Sequence, residues 1–242
     1  MLSILEKSLD YIGDELTLFS HATNWKGYWG NKIVPYLGSD VLEVGAGIGT
    51  NTQHLISSNS VENWVCLEPD PELAKRIKPT IAYQETHKYK LEVNSCFLKD
   101  YTRKKDFDSI LYIDVIEHIE NEVDELKLAV DYLKPGGYLI ILVPAHNFLF
   151  SEFDKAIGHY RRYQKKMLKA AVPNGLTKEK LIYLDSVGMF ASMTNKLILQ
   201  QKYPKIKQIK FWDNTIIPLS KVTDKITFNL VGKTLLGVWK KP

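Results

Sequence analysis

The chain has 242 residues, of which 45% are apolar and 25% charged, with a formal net charge of +4. That is enough for one large domain or two small ones and is ordinary for a globular fold, and the charge is too small to indicate a nucleic-acid-binding protein by itself. No apolar run approaches the roughly 18 residues of a membrane span, Glu6 and Asp10 argue against a leader peptide, and Cys66 and Cys96 are too few for a disulfide framework or a Cys-rich zinc site. Reduced thiols in a cytoplasmic protein without a metal are the expectation.

In chain order, residues 1–37 read as a helical cap that carries Trp25, Tyr28 and Trp29 in the run HATNWKGYW. Strand Asp40–Val44, helix Thr50–Ser58 and strand Val61–Glu68 follow. Helix Pro71–Lys78 is opened by Asp70, a good N-cap, and by Pro71, a good first residue. Then come strands Tyr89–Phe97 and Asp108–Asp114 and helix Glu120–Leu133, stopped at Pro135-Gly136-Gly137. Strand Gly137–Val143, helix Gln164–Ala171 and strands Glu179–Leu184 and Lys233–Lys240 complete the pattern. Alternating strands and helices predict an α/β fold, a mostly parallel seven-stranded sheet covered on both faces. The two late strands lack an ordinary helical crossover, so the last strand is expected to be antiparallel. Residues 1–242 read as a single domain with its core in 38–190 and 231–242. Residues 146–163 and 191–230 read as insertions on the substrate side.

The stretch VLEVGAGIGTN, residues 41–51, puts Gly45, Gly47 and Gly49 directly after the first strand. Glycine there permits a tight turn and close approach of backbone to a ligand, and ligands of open α/β sheets sit at the carboxyl ends of the strands. A dinucleotide fingerprint needs G-x-G-x-x-G, but Thr50 occupies its third position. Gly232-Lys233-Thr234 looks like the tail of a P-loop, but Thr227 stands where its first glycine belongs and no helix follows.

E-x-G-x-G-x-G, complete here as Glu43 to Gly49, resembles the first motif of class I methyltransferases that use S-adenosylmethionine. The stretch from Asp114 to Ile119, DVIEHI, resembles the branch that includes ubiquinone-biosynthesis O-methyltransferases, and Leu133-Lys134-Pro135-Gly136-Gly137 resembles the family's turn into its fifth strand. The resemblance implies a Rossmann-like fold and S-adenosylmethionine as cofactor. It implies that Glu43 supports the loop, holding backbone N–H groups, and that Gly45, Ala46, Gly47 and Gly49 form it. Glu68 and Pro69, 19 residues past Gly49, would serve the ribose; Asp100 and Tyr101 would serve the adenine; Asp114 and Val115 end the fourth strand beside the ligand. The resemblance is good over about 38–145 and weak over 191–230.

Substrate contacts are expected from Trp25, Tyr28 and Trp29 and from the segment after the fifth strand, where His146, Arg161, Arg162 and Tyr163 mix basic and aromatic groups. Arginine forks suit an anionic acceptor; the competing reading pairs them with Glu152 or Asp154. Methyl transfer from a sulfonium depends mainly on alignment, but a hydroxyl acceptor profits from a base, and His118, His146 and His159 are the candidates. The expected activity is methyl transfer to an oxygen of a small, anionic or lipid-like molecule. Alternatives are a protein, lipid or nucleic-acid acceptor, or a non-catalytic module that binds the cofactor. The absence of an N-P-P-Y-like motif after the fourth strand speaks against a nucleic-acid acceptor. Lys196, Lys202, Lys205, Lys207 and Lys210, set among apolar residues, pose peripheral contact with an anionic membrane against a solvated basic face.

Overall fold

The computed structural model describes residues 15–58, 60–84, 86–102, 106–194 and 204–242. All seven expected strands are present: β1 (Asp40–Val44), β2 (Asn63–Leu67), β3 (Lys90–Asn94), β4 (Phe107–Ile113), β5 (Leu133–Pro144), β6 (Thr177–Leu184) and β7 (Thr234–Lys240). They form one sheet in the order β3-β2-β1-β4-β5-β7-β6. Strands β1 to β5 run parallel, and β7 is antiparallel to both its neighbours, β5 and β6. Both faces are packed. In β4, Leu111 and Ile113 enter one apolar cluster while Phe107, Ile110 and Tyr112 enter the other. Burial on both faces is why the strands read as continuous apolar runs and not as alternating ones. The chain steps outward from β1 to β3, then returns to place β4 on the other side of β1. That reversal of strand order opens a crevice at the carboxyl ends of β1 and β4.

The helices are α1 (Thr23–Ile33), α2 (Thr50–Leu55), α3 (Pro71–Ile81), α4 (Glu122–Asp131), α5 (Glu152–Ala156), α6 (Lys165–Ala171), α7 (Ser186–Thr194), α8 (Ile206–Phe211) and α9 (Ile217–Ile226). As expected, Asp70 caps α3, accepting from the N–H groups of Glu72 and Leu73 at 2.8 and 3.2 Å. Some bounds differ from the sequence reading. Helix α2 stops at Leu55, and α4 ends before Leu133, which already pairs with Phe107 in the sheet. The register then shifts across the Pro135-Gly136-Gly137 turn, and pairing resumes at Ser109 and Tyr138. Cys66 is buried and Cys96 half-buried, and both are free thiols.

The second insertion is anchored by its two acids. A π-helical turn, Trp212–Ile216, joins α8 to α9. Asp213 is buried and accepts from the backbone N–H of Asn24 at 3.0 Å and of Trp25 at 2.8 Å. It caps α1, whose own N-cap, Ala22, has no side-chain oxygen. Asp224, also buried, accepts from the N–H groups of Asp185 and Ser186 at 2.7 and 2.9 Å, at the start of α7. The positive end of each helix thus faces a carboxylate. Lys196 and Lys202 lie outside the described residues.

Candidate active site

The loop after β1 closes the crevice from below. Gly45, Gly47 and Gly49 have φ of 70°, 56° and 82°, the left-handed region that favours glycine. At Gly45 a Cβ would also lie 2.7 Å from Val115 Cγ2, and at Gly49 it would lie 3.1 Å from the Cα of Ile77. The loop amides are already engaged. Gly45 and Ala46 donate to the Leu67 carbonyl at 2.8 and 3.0 Å, and Gly49 to Ala46 at 2.9 Å. Gly47 donates to Glu68 Oε2 at 2.7 Å. A pyrophosphate cradle needs free N–H donors, which these four positions do not offer.

The role of holding the loop falls to a different acid than in the sequence reading. Glu43 does not hold backbone N–H groups. It lies buried beneath the loop, accepting from Thr52 Oγ1 at 2.5 Å and Trp64 Nε1 at 3.1 Å, while its Oε1 has no partner among the described residues. Burial pushes its carboxyl up to about 7, against the pull of those two donors. Glu68 is the residue that grips the loop, and its Oε1 also accepts from Asp70 N–H at 3.0 Å. Asp100 lies well beyond β3, exposed on a 3-10 turn (Leu98–Asp100). Tyr101 packs in the cluster under the other face of the sheet. Neither lines the cavity described next, nor do Glu68 and Pro69.

That cavity, about 250 Å³, lies between the loop, the ends of β4 and β5, α1 and Trp212. Gly45, Ala46 and Gly47 form one wall and Trp25, Trp29 and Trp212 another. It holds charges of both signs: Glu15, Asp114 and Glu117 against Lys26, Arg162 and Lys233. Burial raises Glu15 to about 8, helped by Asp114 and Asp154. Lys26 Nζ donates to the Phe19 carbonyl at 2.7 Å. Burial lowers it to about 8 while Asp114 and Asp213 pull the other way. Loss of hydration at the cavity floor raises Asp114 to about 6, against His159, Lys26 and Lys233. Glu117 is fully buried and raised well above the usual carboxylate range by that burial and by Asp114; neither of its oxygens has a hydrogen-bond partner among the described residues.

The three candidate histidines separate. His159 and His118 line the cavity; His146 does not. His146 stacks on Tyr183 with ring centroids 4.7 Å apart, packed away from the crevice. Partial removal of water by its neighbours lowers His118, with His159 adding to the shift, although the side chain is exposed among the described residues. His159 has an orienting partner: its Nδ1 lies 2.9 Å from Asp154 Oδ1, and its Nε2 faces Glu117 Oε1 at 3.9 Å. Asp154 is buried and also accepts two bonds from Arg162, at 2.7 and 3.0 Å, which hold its carboxyl well below the usual range. Glu117, His118 and His159 each present one ligand atom within 4.8 Å of the others, a spacing that a divalent cation could bridge.

Several expected substrate contacts are structural instead. Arg161 turns away to pair with Glu122 and the carbonyls of Ile119 and Glu120. Tyr163 is fully buried in the lower cluster. The Tyr28 hydroxyl donates to Asp224 at 2.8 Å. Arg162 does line the cavity, though its fork is held by Asp154 as the competing reading foresaw. Sequence reasoning missed Glu15, Lys26 and Lys233 as cavity residues, and it named Asp154 only as a partner for the arginines, not for His159.

Residues 24–181 match a family described as a methyltransferase domain. The chain belongs to that family. Its cofactor is S-adenosylmethionine. No curated protein matches the chain. Solved structures share the fold. A Haloferax volcanii protein in complex with the methyltransferase activator Trm112 superposes with a TM-score of 0.64 at 15% identity, over 96% of each chain. The N-methyltransferase NodS of Bradyrhizobium japonicum, with S-adenosyl-L-homocysteine, gives 0.54 at 14% identity over 87% of this chain and 81% of its own. Coclaurine N-methyltransferase, bound to N-methylheliamine and S-adenosyl-L-homocysteine, gives 0.61 at 12% over 91% and 72%. At these identities the likeness is one of fold. The methyltransferase's cavity fits its cofactor: glycines at the contact wall, amides withdrawn from anion binding, and opposed charges suited to a zwitterion.

Proposed function

We propose that this methyltransferase transfers the methyl group to a hydroxyl oxygen of a small acceptor, with His159 taking the acceptor's proton. The observation that carries this reading is the Asp154–His159 pair, 2.9 Å apart, on the wall of the cavity that the glycine loop closes. When bound, S-adenosylmethionine supplies a methyl group on a sulfonium, already activated for displacement. The Gly45–Gly47 loop, gripped from behind by Glu68, would hold it, with Asp114 and Lys26 at the ammonium and carboxylate of its amino-acid end. Asp154 fixes the imidazole with Nδ1 protonated, which leaves the Nε2 lone pair to accept a proton. The imidazolium so formed is stabilised by the Asp154 carboxylate. Trp25, Trp29 and Trp212 keep water from the reacting oxygen. A positioned base of this kind is worth about 10²–10⁴-fold in rate. The test is release of S-adenosylhomocysteine across a panel of phenols, carboxylic acids and isoprenoid lipids. His159→Ala should cut turnover of a hydroxyl acceptor by about 10²–10⁴-fold with cofactor affinity kept, and His146→Ala should not. Full turnover in His159→Ala would sink the assignment.

One observation favours a second reading. Glu117 is a buried carboxyl with no hydrogen-bond partner among the described residues, in a cavity walled by three tryptophans. That combination also suits an amine acceptor. Under that reading amines, not phenols, are turned over, and Glu117→Gln raises KM for them.

A further inference from the structure

We propose that the outward face of α9 and the turn after it dock the protein on an anionic phospholipid bilayer. The proposal does not depend on which atom is methylated. A surface helix ordinarily buries its apolar side and shows its polar side to water. Helix α9 buries Ile217 but turns the rest of its apolar residues outward. Its buried positions include Ser220 and Asp224, which are hydrogen-bonded inward: Ser220 Oγ donates to Asp185 at 2.6 Å, and Asp224 accepts from the start of α7. Leu219, Val222 and Ile226, spaced three and four residues apart along one stripe, are 52%, 58% and 70% exposed.

The turn that follows extends this surface. Phe228 is 81% exposed and Leu230 65%. Phe228 and Asn229 have φ of 52° and 55°, a conformation non-glycine residues rarely adopt. It is fixed by bonds on both sides: Asn229 N–H donates to the Asp224 carbonyl at 2.7 Å, and Tyr183 N–H donates to the Asn229 carbonyl at 3.0 Å. The phenyl ring is thus held out into solvent by a built turn. Eight of the thirteen exposed large apolar side chains among the described residues fall between 190 and 230.

The charge pattern selects the partner. Among the described residues from 186 to 232 the only acids are Asp213 and Asp224, and both are buried. The exposed charge of the segment is therefore wholly basic: Lys205, Lys207, Lys210 and Lys225, with Lys221 partly covered. Apolar side chains flanked by lysines match the headgroup region of an anionic bilayer, where each near-surface lysine adds attraction that salt screens. A second copy bound through the same face would set these lysines against their own counterparts. Trp212, in the π-turn that runs into α9, lines the cavity, so the docking face and the cavity share one continuous helical segment.

The test is cosedimentation of the full chain with vesicles of phosphatidylcholine alone and of an equimolar mixture with phosphatidylglycerol, at low and high salt. Three proteins are compared: wild type, Leu219→Ser/Val222→Ser/Ile226→Ser, and Lys205→Gln/Lys207→Gln/Lys210→Gln/Lys225→Gln. The urea midpoint and cofactor affinity serve as controls for folding. Wild type should bind the mixed vesicles at low salt, release at high salt and ignore neutral ones. Each variant should bind about tenfold or more weakly. If the serine variant fails to fold, the lysine variant decides alone. No binding at low salt, equal binding to neutral vesicles, unchanged binding in the lysine variant, or a dimer abolished by the serine changes without any lipid binding would overturn the proposal.

Discussion

Removing Asp213 tests whether the second insertion organises the cavity. Its carboxylate accepts from Asn24 N–H at 3.0 Å, Trp25 N–H at 2.8 Å and Asn24 Nδ2 at 3.2 Å. Helix α1 has no side-chain cap of its own, so Asp213→Ala takes away the only cap. Loss of a good cap costs about 0.5–2 kcal/mol, and leaving buried donors unpaired costs about 1–3 kcal/mol. The two describe the same lost bonds, so the predicted loss is about 1–3 kcal/mol. Asp213→Asn keeps one acceptor oxygen and should lose clearly less. A second effect is electrostatic. Lys26 lies at about 8 because burial lowers it while Asp114 and Asp213 raise it, so without Asp213 it should discharge at lower pH. Urea unfolding at pH 7 reads the first effect. Cofactor calorimetry from pH 6 to 9 reads the second as a lower-lying alkaline loss of affinity. A stability change below about 0.5 kcal/mol for Asp213→Ala, within the scatter of ordinary surface substitutions, would refute the capping account.

Three further outcomes are expected. Glu68→Ala removes the charged acceptor that holds Gly47 and Asp70; as the loop loosens, affinity for S-adenosylmethionine should fall by about 1.5–3 kcal/mol in calorimetry. Gly45→Ala meets both a φ of 70° and a Cβ 2.7 Å from Val115, so it should lower stability by about 1–2 kcal/mol and weaken the cofactor with it. Glu43 is raised from 4.5 to about 7 on folding, so the folded state holds its proton more tightly. Its contribution to stability is full below pH 4.5, is lost as pH rises towards 7, and is level above that. Glu43→Gln removes the dependence, and its stability relative to wild type should rise between pH 5 and 8 by at most about 3 kcal/mol. A flat difference across that range would show that Glu43 does not carry the titration.

The strands and the glycine loop were legible because each rests on local signals. A strand buried on both faces declares itself as an apolar run, and Gly45, Gly47 and Gly49 declare a loop with left-handed backbone. The mostly parallel sheet followed from the alternation of strands and helices, and its antiparallel last strand from the missing helical crossover; the strand order did not. The ends of elements were less legible because packing sets them: Leu133 looks like the last residue of a helix but pairs with Phe107 in the sheet. Roles within the site were least legible, since they depend on which side of the sheet a residue reaches. His118, His146 and His159 are alike in sequence terms. Only the fold places His146 against Tyr183 and brings Asp154 beside His159.

Acids show the difficulty most clearly. In the sequence Asp213 and Asp224 look like two charges diluting a basic insertion. In the fold they are withdrawn from the surface, one onto the start of α1 and one onto the start of α7. A carboxylate at a helix N-terminus is stabilised by the helix dipole and by its unpaired N–H groups, so burial there does not require a cationic partner. The same placement has two consequences of opposite direction. Inward, it ties Trp25 and Trp212, 5.7 Å apart, into one wall of the cavity. Outward, it leaves lysine as the only exposed charge among the described residues of the segment, beside an apolar stripe that no other described residue covers. A sequence pattern that weighs charges by count alone would place those acids on the surface and would cancel the very asymmetry that the fold creates.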